Sequence, residues 1–246
     1  MGSHLNGGDN DNNAADENII RIPTLAERDR LRREREKIEK KLAGEHHGPM
    51  INMPPVTLFL IVLIFGIHVL VTQILSSDQA DWIIDNLGFI PERFHTSDFS
   101  GAALITPITH MFLHGGWMHV VMNVLMLAAF GSGIERWLGS TKMLTLFFVS
   151  GLFGVLAHYI LNADSTAPMI GASGGLSGLF AAAIVMLNRG QQEMGGRIGI
   201  LPFALLWIGL SIGFGMLGGP DGSIIAWAAH VGGFLGGFII LKAMRV

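Results

Sequence analysis

Ser173 stands in the string Gly171-Ala-Ser173-Gly174, and the residue that would make it reactive is His230. A serine hydroxyl is a weak nucleophile until a neighbouring base takes its proton, and an imidazole is the usual base. The string alone is a weak signal in a chain with 33 glycines, but its position adds to it. It falls at a loop-to-helix junction, where glycine permits unusual backbone angles and the first helical amides, with the positive end of the dipole, are free to bind charge. Such donors suit an oxyanion growing on an acyl group. A second polar group, His114-Gly-Gly-Trp-Met-His119-Val-Val-Met-Asn123, sets His119 and Asn123 four apart and so on one helix face. Both offer N–H donors that could stabilise an oxyanion without importing a formal charge; an interhelical hydrogen bond accounts equally well for either residue taken singly.

Other chemistries fare worse. The chain has no cysteine, which removes disulfides, thiolate metal sites and a cysteine nucleophile together. His110 and His114 have i,i+4 spacing, but there is no His-Glu-x-x-His and no acid within the apolar runs to complete a zinc site, so neither metal nor cofactor is expected. The same lack of carboxylates makes a Ser-His dyad the simpler arrangement than a Ser-His-Asp triad.

The elements that must position these groups are apolar. Of 246 residues half are hydrophobic and only 14% charged, and mean hydropathy is +0.48, a composition that suits a polytopic membrane protein and not a soluble enzyme. Hydrophobic runs near 55–75, 112–130, 143–161, 172–187, 198–217 and 223–241 make six candidate spans, each near the ~20 residues a hydrocarbon layer requires. His230 lies about six residues, or ~9 Å, below the outer start of the sixth. Gly174, Gly178 and Ala182 in the fourth span, and Gly232 with Gly236 and Gly233 with Gly237 in the sixth, are small-xxx-small faces that let two backbones approach closely.

The first 50 residues read differently. Residues 1–20 are polar and Asn/Asp/Gly-rich, which predicts disorder, and Thr24 opens a short basic helix to about residue 43 with Thr24 and Glu27 at capping-box spacing. Leu25, Leu31, Ile38 and Leu42 give it a thin apolar stripe. It either holds the N-terminus in the cytoplasm by charge or lies on a surface or partner. Residues 51–246 form the membrane domain. An even span number puts both termini on one side, and with the nine cations between Arg21 and Lys41 inside, Arg136, Lys142, Arg189, Arg197, Lys242 and Arg245 also fall inside, leaving only Arg93 outside. The outer connection 76–111 mixes Trp82, Phe89, Phe94 and Phe99 with acids, as suits a segment half sunk in the membrane interface. The stretch Gly213–Ser223 reads as either a plain turn or a hinge that lets spans five and six move.

Taken together, His114-x4-His119-x3-Asn123, Gly131-x3-Glu135-x3-Gly139 in the loop after span two, Gly171-Ala-Ser173-Gly174 and Ala229-His230-x2-Gly233 make residues 54–243 resemble a rhomboid intramembrane serine protease of the six-span bacterial type. The resemblance implies an all-α, six-helix bundle around a water-filled cavity open to the outside. It implies Ser173 as nucleophile, His230 as base and then acid, and an oxyanion surrounded by His119, Asn123 and the Ser173 amide, with His114, Gly171 and Gly174 in support. The Trp-Arg pair that many members carry in the first loop is absent here, where Ile105-Thr-Pro-Ile-Thr109 stands, so the loop's anchor is open. Four residues after Ser173, where members often place an aromatic against the histidine, stands Ser177, leaving Leu176 or another side chain to fill that space.

The expected function is hydrolysis of peptide bonds in or near transmembrane helices through an acyl-enzyme, with single-span or other membrane proteins as substrates, the lipid bilayer as the medium and no nucleic-acid partner. Exposed backbone is costly in lipid, so substrates with helix-destabilising Gly, Pro or polar residues at that depth are favoured. The expected location is a bacterial cytoplasmic membrane with both termini inside; the oligomeric state is not legible. The rivals are a catalytically silent rhomboid-like protein that binds transmembrane helices and, behind it, a transporter, which would be expected to show internal repeats that are not visible here.

Overall fold

The structure is a computed structural model and describes residues 24–44, 53–96, 101–193, 199–217 and 226–246. The expected disorder of residues 1–20 and most of the glycine-rich stretch Gly213–Ser223, expected as a turn or a hinge, lie outside the described residues. The chain divides into two units, Met1–Asn52 and Met53–Val246. In the first, α1 (Leu25–Gly44) begins at a capping box in which the Glu27 amide donates to Thr24 Oγ1 at 3.4 Å and the Thr24 amide to Glu27 Oε2 at 2.9 Å.

In the second unit every regular element among the described residues is helical, with one isolated antiparallel bridge between Phe89 and Met169. The helices are α2 (Pro55–Ile74), α3 (Ser77–Leu87), α4 (Gly101–Phe112), α5 (Trp117–Leu138), α6 (Ser140–Leu161), α7 (Ser173–Glu193), α8 (Ile200–Leu217) and α9 (Trp227–Ala243). Four of them, α2, α5, α6 and α8, are long and apolar enough to cross a membrane. Helix α9 has 17 residues, ~26 Å at 1.5 Å per residue, and α7 is rich in Gly and Ala at buried positions.

The core follows from small residues. Helices α6, α7 and α9 pack so closely that a Cβ on Gly232 would lie 2.6 Å from the Phe153 carbonyl oxygen on α6, and one on Gly237 2.8 Å from the Gly178 backbone on α7. The two glycine pairs of α9 thus serve two partners: Gly232 and Gly236 face α6, Gly233 and Gly237 face α7. Met143, Leu146, Phe147, Leu176 and Leu179 close this core with no exposed surface. Helix α8 is attached least, with Leu205, Leu206 and Leu210 exposed along it.

Glu135 departs from the expected placement. The motif that holds it reads as a loop, yet α5 continues to Leu138 and stops only at Gly139, whose φ of 82° few other residues tolerate. The carboxylate is buried and accepts four hydrogen bonds, from the Val56 and Thr57 amides at 3.1 and 2.7 Å, Thr57 Oγ1 at 2.7 Å and Ser140 Oγ at 2.9 Å. A buried charge survives only with such partners, and these are orphan donors of the first turn of α2 and the start of α6.

Candidate active site

The segment 169–172 delivers Ser173 to the first position of α7, and backbone bonds fix its path. Met169 exchanges two bonds with Phe89, at 2.8 and 3.0 Å, the Gly171 amide donates to the His110 carbonyl at 2.9 Å, and the Ala172 amide points to His114 Nε2 at 3.5 Å. His114 is therefore a buried support of the approach to Ser173. Gly171 has φ of 126°, a region that only glycine enters without strain. The first intrahelical bond of α7 runs from the Leu176 amide to the Ala172 carbonyl, so the Ser173, Gly174 and Gly175 amides precede it and have no acceptor within the helix.

His230 enters from α9 and is hydrogen-bonded through Nε2 to Ser173 Oγ at 2.8 Å. It lies three residues past Trp227, the first residue of α9, ~4.5 Å along the helix axis. The close approach that makes this bond is Gly233 against Gly174, where a Cβ would be 2.0 Å from the carbonyl oxygen. Both side chains are only part-buried, and through such a bond a neutral imidazole can take a hydroxyl proton.

His119 and Asn123 stand on the neighbouring α5. A Cβ on Gly171 would lie 2.8 Å from His119 Nε2 and 3.7 Å from Ser173 Oγ, so those two atoms are at most about 6.5 Å apart. His119 packs edge-on against His114 with ring centroids 4.9 Å apart. Asn123 is buried, and its side-chain amide donates back to the His119 carbonyl at 2.8 Å while its Oδ1 has no partner. The amide would have to turn from that carbonyl, or share its second hydrogen, to serve a substrate oxygen.

Two features escape a reading of the sequence. Ser177 turns away and donates to the Ser173 carbonyl at 2.7 Å, Leu176 is in the core, and the ring against His230 is that of Trp207 on α8, at 6.4 Å between centroids. Trp207 in turn stacks on Phe180 of α7 at 4.6 Å. Nothing in the spacing of the sequence marks Trp207 as the ring beside His230. The first loop is anchored by Thr109 Oγ1 to the Leu87 carbonyl at 2.7 Å, by Arg93 to the Asp85 carbonyl, and by His95 facing Asp164 at 3.3 Å. Threonine of the substituted Ile105–Thr109 stretch thus supplies part of the missing anchor.

Comparison with known proteins accords with these motifs. The Rhomboid domain matches residues 102–245, more than half of the chain. RHOMBOID-like protein 5 of Arabidopsis thaliana is 32% identical over 133 residues, which cover 54% of this chain and 41% of that protein. Rhomboid protease GluP of Bacillus subtilis (strain 168) is 30% identical over 141 residues, covering 57% of this chain and 25% of the relative. RHOMBOID-like protein 7 of Arabidopsis thaliana is 29% identical over 133 residues, 54% of this chain and 40% of the relative. The matched stretch spans between a quarter and about two-fifths of these relatives' own length. The chain belongs to the rhomboid family.

Proposed function

We propose that the protein is an intramembrane serine endopeptidase in which Ser173 attacks a peptide carbonyl while His230 accepts its proton. His230 then returns that proton to the leaving amine, and water, activated by the same imidazole, hydrolyses the acyl-enzyme. The Ser173 amide, His119 and a reoriented Asn123 donate to the oxyanion; His114, Gly171 and Gly174 shape the backbone that presents them. What carries this reading is the 2.8 Å hydrogen bond between Ser173 Oγ and His230 Nε2, two residues on separate helices brought together by glycines with no other evident need to touch.

The reading includes six spans, with α7 and α9 as the two inner ones, and both termini in the cytoplasm of a bacterium, residues 1–50 preceding a membrane domain of 51–246. Substrates are single-span or other membrane proteins. Their approach is lateral, past α8, which has the least of its surface buried of the four candidate spans, 6%, and so separates at the lowest cost. The relative named a rhomboid protease supports a peptidase over a silent helix-binding protein.

Cleavage of a single-span reporter in proteoliposomes, with products mapped by mass spectrometry, tests the proposal. The wild-type chain should cut within or near the span, and Ser173→Ala and His230→Ala should not. A wild type inert on several helix-destabilised reporters, or full activity in Ser173→Ala, would overturn it in favour of the silent binder.

A further inference from the structure

The buried face of α2 consists of Thr57, Leu60, Ile64 and His68, at three- and four-residue spacing. Thr57 bonds Glu135, and Leu60 and Ile64 fill the core. His68 is 1% exposed, and neither of its ring nitrogens closes a hydrogen bond among the described residues. An imidazole in an apolar helix costs free energy that a leucine there would not, so packing alone does not account for it. Its surroundings are the start of α5. The ring stands edge-on to Trp117, with centroids 4.8 Å apart and planes at 88°, and Phe65 meets the same indole at 6.0 Å. The imidazole also faces the backbone of His114, where the carbonyl is the acceptor a ring N–H can use.

The stretch that His68 faces needs holding. The turn Leu113-His114-Gly115-Gly116 joins α4 to α5; half of it has no side chain to grip a neighbour, and α5 begins without a side-chain cap. Yet the turn carries His114, whose Nε2 faces the Ala172 amide beside Ser173 and whose ring meets that of His119 at 4.9 Å. An amide donor at Nε2 leaves the His114 proton on Nδ1, so this contact lasts only while the ring keeps both its tautomer and its place. We infer that His68 is a positioning residue for the peptidase site: its ring N–H holds the His114 carbonyl, and with it the turn, so that His114 and His119 stay aimed at residues 171–173. Trp117 is the wall that keeps the imidazole turned to that carbonyl. Bonds around a reacting centre are often long in the free enzyme and tighten with substrate, and the His68 contact does the same. The inference rests on the peptidase reading of Ser173 and His230.

Variants of the full chain test this. His68→Phe and His68→Leu keep an apolar filling and remove the nitrogens, whereas His68→Gln keeps a donor. In proteoliposomes the first two should lower kcat about tenfold, less than the roughly 100-fold of a 1 Å misplacement, with KM and thermal unfolding little changed, and His68→Gln should regain most of the loss. Gly66→Ala, on the exposed side of the same helix with nothing within 4 Å, should match the wild type. The placing of His114 can be read without substrate. With nitrogen-15 histidine in detergent, and the His114 signals identified by their loss in His114→Gln, the wild type should show the Nδ1–H tautomer, and His68→Phe should move those signals toward a mixture of tautomers. Wild-type kcat in both His68→Phe and His68→Leu, a His68→Gln as slow as those two, or His114 signals unmoved by His68→Phe would overturn the proposal. A wild type that cleaves no reporter would count against the peptidase reading, and the nitrogen-15 spectra would still decide whether His68 places His114.

Discussion

Gly233→Ala should separate the reacting pair without touching either member. Gly233 lies less than one turn beyond His230, and its missing side chain is what lets α9 meet the Gly174 carbonyl beside Ser173. A Cβ there would be 2.0 Å from that oxygen and 2.8 Å from its carbon, where ordinary contact begins at 3.4 Å. The obstacle is backbone and cannot rotate aside, so α7 and α9 must part by about 1.4 Å. Because Gly174 adjoins Ser173, most of that movement passes to the Ser173–His230 hydrogen bond, stretching it from 2.8 Å to about 4 Å, beyond hydrogen-bonding range. A misplacement of about 1 Å at a reacting centre costs roughly 100-fold, and loss of a general base costs about 100- to 10,000-fold. The expected result in a proteoliposome cleavage assay is a fall in kcat of at least about 100-fold with KM little changed. Gly237→Ala, one turn farther from the site and 2.8 Å from the Gly178 backbone, should show a smaller loss, and Gly209→Ala, with nothing within 4 Å, none. A Gly233→Ala protein that keeps wild-type kcat and wild-type unfolding would refute the idea that this glycine contact builds the site.

Three further outcomes follow from neighbouring contacts. Gly171→Ala forces a strained φ and sets a methyl 2.8 Å from His119 Nε2, so cleavage should fall by about tenfold or more and unfolding stability in detergent by about 1–3 kcal/mol; unchanged kcat would show that His119 need not hold its place. Glu135→Gln puts an amide donor among four donors and should lower unfolding stability by about 2–3 kcal/mol, readable by denaturant titration in mixed micelles, whereas a stability equal to wild type would mean the carboxylate is not the tie between α2 and α5. Trp207→Leu should reduce kcat about two- to tenfold, the worth of an aromatic contact, and Trp207→Phe should restore most of it; an equal loss in both would assign Trp207 to packing against Phe180 and not to His230.

The candidate site is legible in the sequence where chemistry conflicts with surroundings. A histidine in an apolar run and a serine between glycines at a helix start stand out because each costs free energy that packing alone does not repay. The four-residue spacing of small residues likewise marks α7 and α9 as close neighbours. Which face meets which helix is another matter: that Gly232 turns to α6 and Gly233 to α7 depends on the rotation of α9, set by Phe153 and Ala157 on one side and Gly174 on the other. Glu135 reads as a loop residue because an acid in an apolar helix is unfavourable until its four donors are known, and those come from segments far away in sequence. The Asn123 amide is visible as a donor, but its turn to the His119 carbonyl, four residues back, is a local side-chain-to-backbone bond that the spacing does not reveal. Trp207 is hidden for the opposite reason, since a tryptophan in an apolar span calls for no explanation at all.

The most direct measurement is covalent capture of the serine. Intact-mass analysis of the full chain in detergent after reaction with a fluorophosphonate should show a single adduct, mapped by peptide sequencing to Ser173, absent from Ser173→Ala and strongly reduced in His230→Ala. An unmodified wild-type chain, or an adduct at another residue that persists in Ser173→Ala, would contradict the account of Ser173 as a nucleophile activated by His230.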